Sequence, residues 1–169
     1  MKGHPGGEEH TLHMLELSGL KPGARILDMG AGSGDTVRLL NALGCCASGI
    51  DLGPRGDSVE LGDMLHAPYP DESFDAVVSQ CTFYSSGHVD AALREARRLL
   101  RPGGTLLLSD VWFTDSKQAL EAAGFGLLHR EDMTPQWREY YIEAIWRGEA
   151  DCLPVKGRCT YEMLIGKKE

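Results

Sequence analysis

The sequence predicts a single α/β domain: an open, doubly wound, mostly parallel sheet with helices on both faces. Three observations carry this expectation. Short apolar runs bounded by glycine and proline alternate with segments of helical periodicity, as strand–helix–strand units do. A glycine-rich stretch, Gly30-Ala-Gly32-Ser-Gly34, stands between the first apolar run and the helical segment that follows it. The chain has 169 residues, the size of one domain around one core, so residues 1–169 are read as one unit.

The elements follow in order. Residues 8–18 carry a short helix closed by Gly19, Lys21-Pro-Gly-Ala is a turn, and Arg25–Met29 is a buried strand. A helix is expected at about 33–43, with Val37, Leu40 and Leu43 inward and Gly44 as its stop. Residues 46–51 form a second strand, 59–61 a short third and 74–79 a fourth. The helix at 89–101 turns Leu93, Ala96 and Leu100 inward, and its four arginines form a solvated face. Arg101-Pro-Gly-Gly then breaks the chain before a fifth strand at 105–110. A helix at 115–123 ends at Gly124, and 125–130 and 160–165 supply the last strands. Between them Pro135 suits a helix start, and Trp137, Tyr140, Tyr141, Ala144 and Ile145 make one stripe. That stripe reads either as core or as a lid insertion over 134–157 whose aromatics line a pocket.

Seventeen basic against 25 acidic side chains give a net charge of −8, which disfavours nucleic acid and anionic lipid as partners. No apolar run is long enough for a signal peptide or a membrane span, so a cytoplasmic location is expected. Cys45, Cys46, Cys81, Cys152 and Cys159 are odd in number and are expected as reduced thiols, the first two in the core. With no CxxC or HExxH spacing, no metal site is expected.

The chemistry points to the glycine loop. Its glycines permit a tight turn and close approach of a ligand, while the helix start beyond offers unpaired N–H groups. Asp51 closes the second strand 23 positions after Asp28, a spacing suited to a carboxylate that accepts both ribose hydroxyls of a nucleoside. A nicotinamide dinucleotide is disfavoured. The pattern is GxGxG rather than GxGxxG, Asp35 stands where the third glycine belongs, and no second domain is available for a substrate.

These motifs resemble the class I S-adenosylmethionine-dependent methyltransferases, in the small-molecule branch that includes the ubiquinone-biosynthesis-like enzymes. LDMGAGSG is similar to the family's first motif, GIDL to its acidic ribose motif, and LGDMLHAPYPDESFDAVVS to its adenine motif and fourth strand. ALREARRLLRPGGTLLLSD and EAAGF resemble the elements that follow, so the likeness covers about 20–131. It implies a Rossmann-like sheet of order 3-2-1-4-5-7-6 with S-adenosylmethionine as cofactor. By resemblance Gly30, Ala31, Gly32 and Ser33 face the methionine moiety, with Asp28 near its ammonium. Asp51 takes the ribose and Asp63 with Met64 the adenine, and Leu52 and Gly62 stand beside them in the cofactor-binding set. The pattern departs from the family between Asp51 and Val59, where seven residues replace the usual crossover helix. Residues 53–58 are therefore expected to hold no helix beyond one turn.

The acceptor is expected at the carboxyl ends of the fourth and fifth strands, among Gln80, Cys81, Tyr84, His88, Asp110 and Trp112. His88 is the candidate general base and Tyr84 the candidate substrate contact; Gln80 and Cys81 also border the cofactor. The segment from His4 to Thr11 is expected to fold over the methionine end, with Thr11 supplying a hydroxyl. The expected function is in-line methyl transfer to a small molecule. Two alternatives stand beside it: a noncatalytic cofactor-binding module, and thiol-assisted methylation of a soft metalloid held by Cys81, Cys152 and Cys159.

Overall fold

In the computed structural model, residues 4–150, 155 and 157–169 are described. Arg25–Met29 (β1), Cys46–Asp51 (β2), Val59–Leu61 (β3), Phe74–Gln80 (β4), Leu100–Trp112 (β5), Phe125–Asp132 (β6) and Thr160–Lys168 (β7) join one sheet. Its order is β3-β2-β1-β4-β5-β7-β6, as the resemblance implies. The pairs from β3 through β5 are parallel, and β7 runs antiparallel between β5 and β6. The helices are Gly7–Ser18 (α1), Asp35–Ala42 (α2), Val89–Leu99 (α3), Ser116–Ala122 (α4) and Thr134–Trp146 (α5).

Alternation along the central strands divides the core into two layers. Leu27, Val77, Leu106 and Leu108 join Leu93 and Leu99 of α3 and Leu120 of α4 on one face. Ile26, Ala76, Val78 and Leu107 join Met14 of α1, Leu40 of α2 and Trp137 of α5 on the other. Burial on both faces explains why these strands read as continuous apolar runs rather than alternating ones.

Several boundaries differ from the sequence reading. The first α2 residue is Asp35, because Gly34 at φ 78° is still in the left-handed turn of the glycine loop. Leu43 sits at the end of α2 and is exposed rather than inward. Helix α3 stops at Leu99, where Leu100 goes extended and is buried in the sheet. The Arg101–Gly104 stretch does not end the strand: β5 absorbs it as an irregularity, pairing Leu100 with Phe74 and then Thr105 with Ala76. Cys46 is exposed and Cys45 half-buried, so the expected core placement of these thiols at the strand start is not met.

Residues 53–58 contain no helix. The connection instead lies against the glycine loop: the Arg55 amide donates to the Gly32 carbonyl at 2.9 Å. The Arg38 guanidinium joins the Ser33 carbonyl, at 2.9 Å, to Ser58 Oγ, at 3.3 Å. Among the described residues no helix is long and apolar enough to cross a membrane.

Candidate functional site

Strand β1 is where the sheet changes winding direction, with β2 on one side and β4 on the other. Such a switch point leaves a crevice beyond the carboxyl ends of the strands. Here it opens into a cavity of about 520 Å³.

The glycine loop forms one wall. Both the Gly30 and Ala31 amides donate to the Ile50 carbonyl, at 2.9 and 3.0 Å, which folds the chain sharply back over β2. Gly30 has φ 87°, and a Cβ there would run into the Thr82 side chain. Asp51 closes β2 beneath the loop. Its Oδ2 accepts from the Gly32 amide at 2.9 Å and its Oδ1 from the Gly53 amide at 2.8 Å. Asp28, at the end of β1, is buried yet lines the cavity. Burial, then the Asp51 carboxylate, pushes its pKa up to about 7. A buried carboxyl group whose ionisation is opposed by burial and by a neighbouring carboxylate suits an arriving cation.

Of the residues expected at the cofactor, Asp28, Gly30, Ala31, Gly32, Ser33, Asp51, Leu52, Gly62, Met64, Gln80 and Cys81 all lie on this wall. The structure does not bring Asp63, Thr11, Tyr84 or His88 onto it. Asp63 is turned into its own loop, accepting from the Leu65 amide at 2.8 Å with His66 Nδ1 at 3.3 Å. Thr11 is buried behind the wall, where it accepts from Gln80 Nε2 at 3.2 Å and lies 3.3 Å from His4 Nε2. Thr36 donates to Gln80 Oε1 at 3.0 Å, so the N-terminal segment is tied to the wall through side-chain amide and hydroxyls. Tyr84 begins a 3-10 turn, Tyr84–Ser86, and its ring packs on Phe113 with centroids 5.5 Å apart. His88 sits exposed at the start of α3. A base must reach the reacting group, and His88 faces solvent instead.

Thr36, Arg55, Thr82, Ser85 and Ser86, which sequence reasoning left out, complete the cavity together with His4 and Pro5 of the segment expected to fold over it. Ser85 and Ser86 follow Tyr84 directly, in the turn where the sequence placed the substrate contact. Asp110 and Trp112 are buried but off the wall. Asp110 accepts from the Tyr84 and Val111 amides at 3.1 and 2.7 Å and so holds the serine turn in place.

Cys81 lies between β4 and that turn. It adopts φ 60°, unusual for a residue with a side chain, and its amide donates to the Ser109 carbonyl at 2.8 Å. Its Sγ is 3.2 Å from Tyr161 Oη, and burial pushes the thiol up to about 12. The group is therefore held as a neutral thiol at neutral pH. Cys159 packs on the same apolar cluster, while Cys152 lies outside the described residues. Among the described residues no group of three His, Cys, Asp or Glu is arranged to hold a metal.

The stripe of α5 divides between the two readings it allowed. Trp137 is core, its ring stacked on Tyr161 at 6.1 Å and 11°. Tyr141 is also buried, but it reaches the cavity wall. Ile145 falls off the stripe and is exposed.

A family profile described as "Methyltransferase domain" matches residues 27–108. The chain is 32% identical over 136 residues to 27-O-demethylrifamycin SV methyltransferase of Amycolatopsis mediterranei, covering 68% of this chain and 50% of that protein. It is 31% identical over 137 residues to the ubiquinone/menaquinone biosynthesis C-methyltransferase of Pseudomonas paraeruginosa, covering 68% and 53%. The chain thus spans about half the length of the curated relatives it matches. Its fold is similar to that of Haemonchus contortus phosphoethanolamine N-methyltransferase 2, solved with phosphomonomethylethanolamine and S-adenosylhomocysteine. There the TM-score is 0.75 at 19% identity, over 98% of this chain and 54% of that one. The profile begins inside β1 and ends inside β5, and so spans the strand ends that border the cavity. Residues 27–108 of this chain therefore match the methyltransferase domain family, as its resemblance to the class I S-adenosylmethionine-dependent methyltransferases implies.

Proposed function

We propose that the chain transfers a methyl group from S-adenosylmethionine to a small-molecule acceptor. The carrying observation is the pair Asp28 and Asp51 on one cavity wall, beside a glycine loop open to close approach. S-adenosylmethionine is a cation in its sulfonium and ammonium groups and carries a ribose with two free hydroxyls. When bound it supplies an activated methyl group whose leaving group is a neutral thioether. The donor set fits it: Asp28 faces the ammonium, and Asp51 takes the ribose hydroxyls on the lone pairs that Gly32 and Gly53 leave free. Leu52, Gly62 and Met64 flank the adenine, with Asp63 fixing their loop rather than touching the base.

The acceptor then lies at the other end, against Cys81, Thr82, Ser85, Ser86 and Tyr141. These side chains offer hydroxyls, a neutral thiol and one aromatic face, which favours a small, uncharged or weakly charged molecule. The net charge of −8 supports the same choice over nucleic acid. The enzyme's contribution is alignment of donor and acceptor, worth several powers of ten in rate. We place this activity in the cytoplasm, where thiols stay reduced.

Incubation with S-adenosylmethionine and a panel of small hydroxyl, amine and carbon acceptors, followed by S-adenosylhomocysteine release, tests the reading. Release that depends on one acceptor class supports it. Cofactor binding without release from any class would favour the noncatalytic module.

A further inference from the structure

Arg55 is the single arginine or lysine among the described residues that line the cavity, against three carboxylates, Asp28, Asp35 and Asp51. Asp35 is already held by the Arg38 guanidinium and Ser33 Oγ. Arg55 makes no ion pair with a described carboxylate. Its guanidinium lies close against the glycine loop: a Cβ on Gly32 would stand 2.6 Å from its Nη2. Its amide donates to the Gly32 carbonyl at 2.9 Å, which fixes where the side chain starts.

The short β2–β3 connection is the cause. A crossover helix would lift the chain away from the glycine loop, and seven residues cannot form one. They run instead across the loop, so closely that a Cβ on Gly56 would collide with the Ser33 carbonyl. That path delivers a free cation to the lip of an otherwise acidic cavity.

We propose that Arg55 binds the carboxylate of the amino-acid tail of S-adenosylmethionine, a recognition role that the missing helix creates. The proposal rests on the methyltransferase reading above. An α-amino acid carries an ammonium and a carboxylate on one carbon. The cavity offers Asp28 for the first, but its remaining carboxylates would repel the second. A guanidinium is the natural complement, since its planar fork matches a carboxylate with two parallel hydrogen bonds.

Calorimetry with two ligands tests this. S-adenosylhomocysteine has the amino-acid tail; 5′-methylthioadenosine keeps the nucleoside and the thioether but lacks the tail. Arg55→Ala is expected to weaken S-adenosylhomocysteine about tenfold at low salt and to leave 5′-methylthioadenosine unchanged. Arg55→Lys should recover part of the loss, as a point charge without the fork. Because Arg55 is exposed, the melting temperatures of both variants should match the wild type. Equal weakening of both ligands would overturn the proposal and assign the side chain to the nucleoside. Unchanged affinity for S-adenosylhomocysteine would overturn it alone, whereas a wild-type chain that binds neither ligand would remove the cofactor reading with it.

Discussion

The Gly32 amide donates to Asp51 Oδ2 at 2.9 Å, so the carboxylate that ends β2 braces the glycine loop that follows β1. The same side chain accepts from the Gly53 amide at 2.8 Å and thereby anchors the connection leaving β2 as well. One acid therefore shapes both walls of the crevice and still has lone pairs to offer a ligand.

Asp51→Ala is expected to weaken S-adenosylhomocysteine binding by roughly ten- to hundredfold, the scale of losing charge-assisted hydrogen bonds. Asp51→Asn keeps one acceptor oxygen and should lose less. Calorimetry on the two variants checks the order, and equal affinity for wild type and Asp51→Ala would take Asp51 out of the site.

Gly30→Ala combines a left-handed φ of 87° with a collision at Thr82. The expected cost is about 1–3 kcal/mol of stability, together with reduced cofactor affinity. Adding Thr82→Ala should relieve only part of the collision, since the Thr82 Cβ itself would lie 2.6 Å from the new methyl group. Urea denaturation of the single and double variants would show whether that partial rescue occurs.

Asp28 gives a pH dependence with a definite sign. Its folded pKa, about 7, stands above the unfolded carboxylate value, so the folded chain holds this proton more tightly. Its contribution to the stability of the ligand-free fold is present at low pH and is lost as pH rises through about 7. A cationic ligand favours the ionised form, so S-adenosylmethionine affinity should rise over the same interval. In Asp28→Asn both trends should flatten, as read from melts and calorimetry between pH 5 and 8. A wild-type affinity that is level across that range would argue against contact between Asp28 and the ligand's charge.

Trp137 and Tyr141 should separate the core from the pocket wall. Trp137→Ala is expected to destabilise the domain by about 3–5 kcal/mol, the usual scale for a deleted buried aromatic. Tyr141→Phe keeps the packing and removes only the hydroxyl, so its melting temperature should stay near wild type. With an acceptor identified by the release assay, turnover of Tyr141→Phe should fall more than cofactor affinity does. Unaltered kinetics would leave Tyr141 as packing alone.

The N-terminal segment calls for a shorter deletion than its sequence suggests. Residues 1–10 look removable, but His10 is buried and its Nε2 lies 2.5 Å from Ser109 Oγ on β5. Cutting there would strip the first turn of α1 from the sheet. Removal of residues 1–6, or His4→Ala, is expected to weaken cofactor binding several-fold with little change in the ligand-free melt. Binding as tight as the full chain's would end the covering role.

Much of the site was legible before the structure because its signals are local. The Gly30–Gly34 loop, Asp28 and Asp51 each sit where a strand ends, and strand ends can be read from apolar runs and glycines. The directions of the Asp63 and His88 side chains were not legible, for the complementary reason. Whether a side chain points into a cavity depends on the turn that carries it, and both stand in turns where a neighbouring backbone amide or solvent claims the side chain. Tyr84 fails similarly: its phenol finds Phe113, an aromatic 29 positions away that no spacing rule links to it.

The sequence by itself determined the strand and helix succession, the glycine loop with its two acids, and the lack of room for a helix after β2. Backbone sterics and hydrophobic periodicity act over a few residues, and both are written in adjacent letters. Only the tertiary structure decided that Arg55 lies on the glycine loop, that Thr11 sits behind the wall, and that Tyr141 serves both core and cavity. Those outcomes depend on which distant surfaces exclude water from one another, and that exclusion exists only once the whole sheet is assembled.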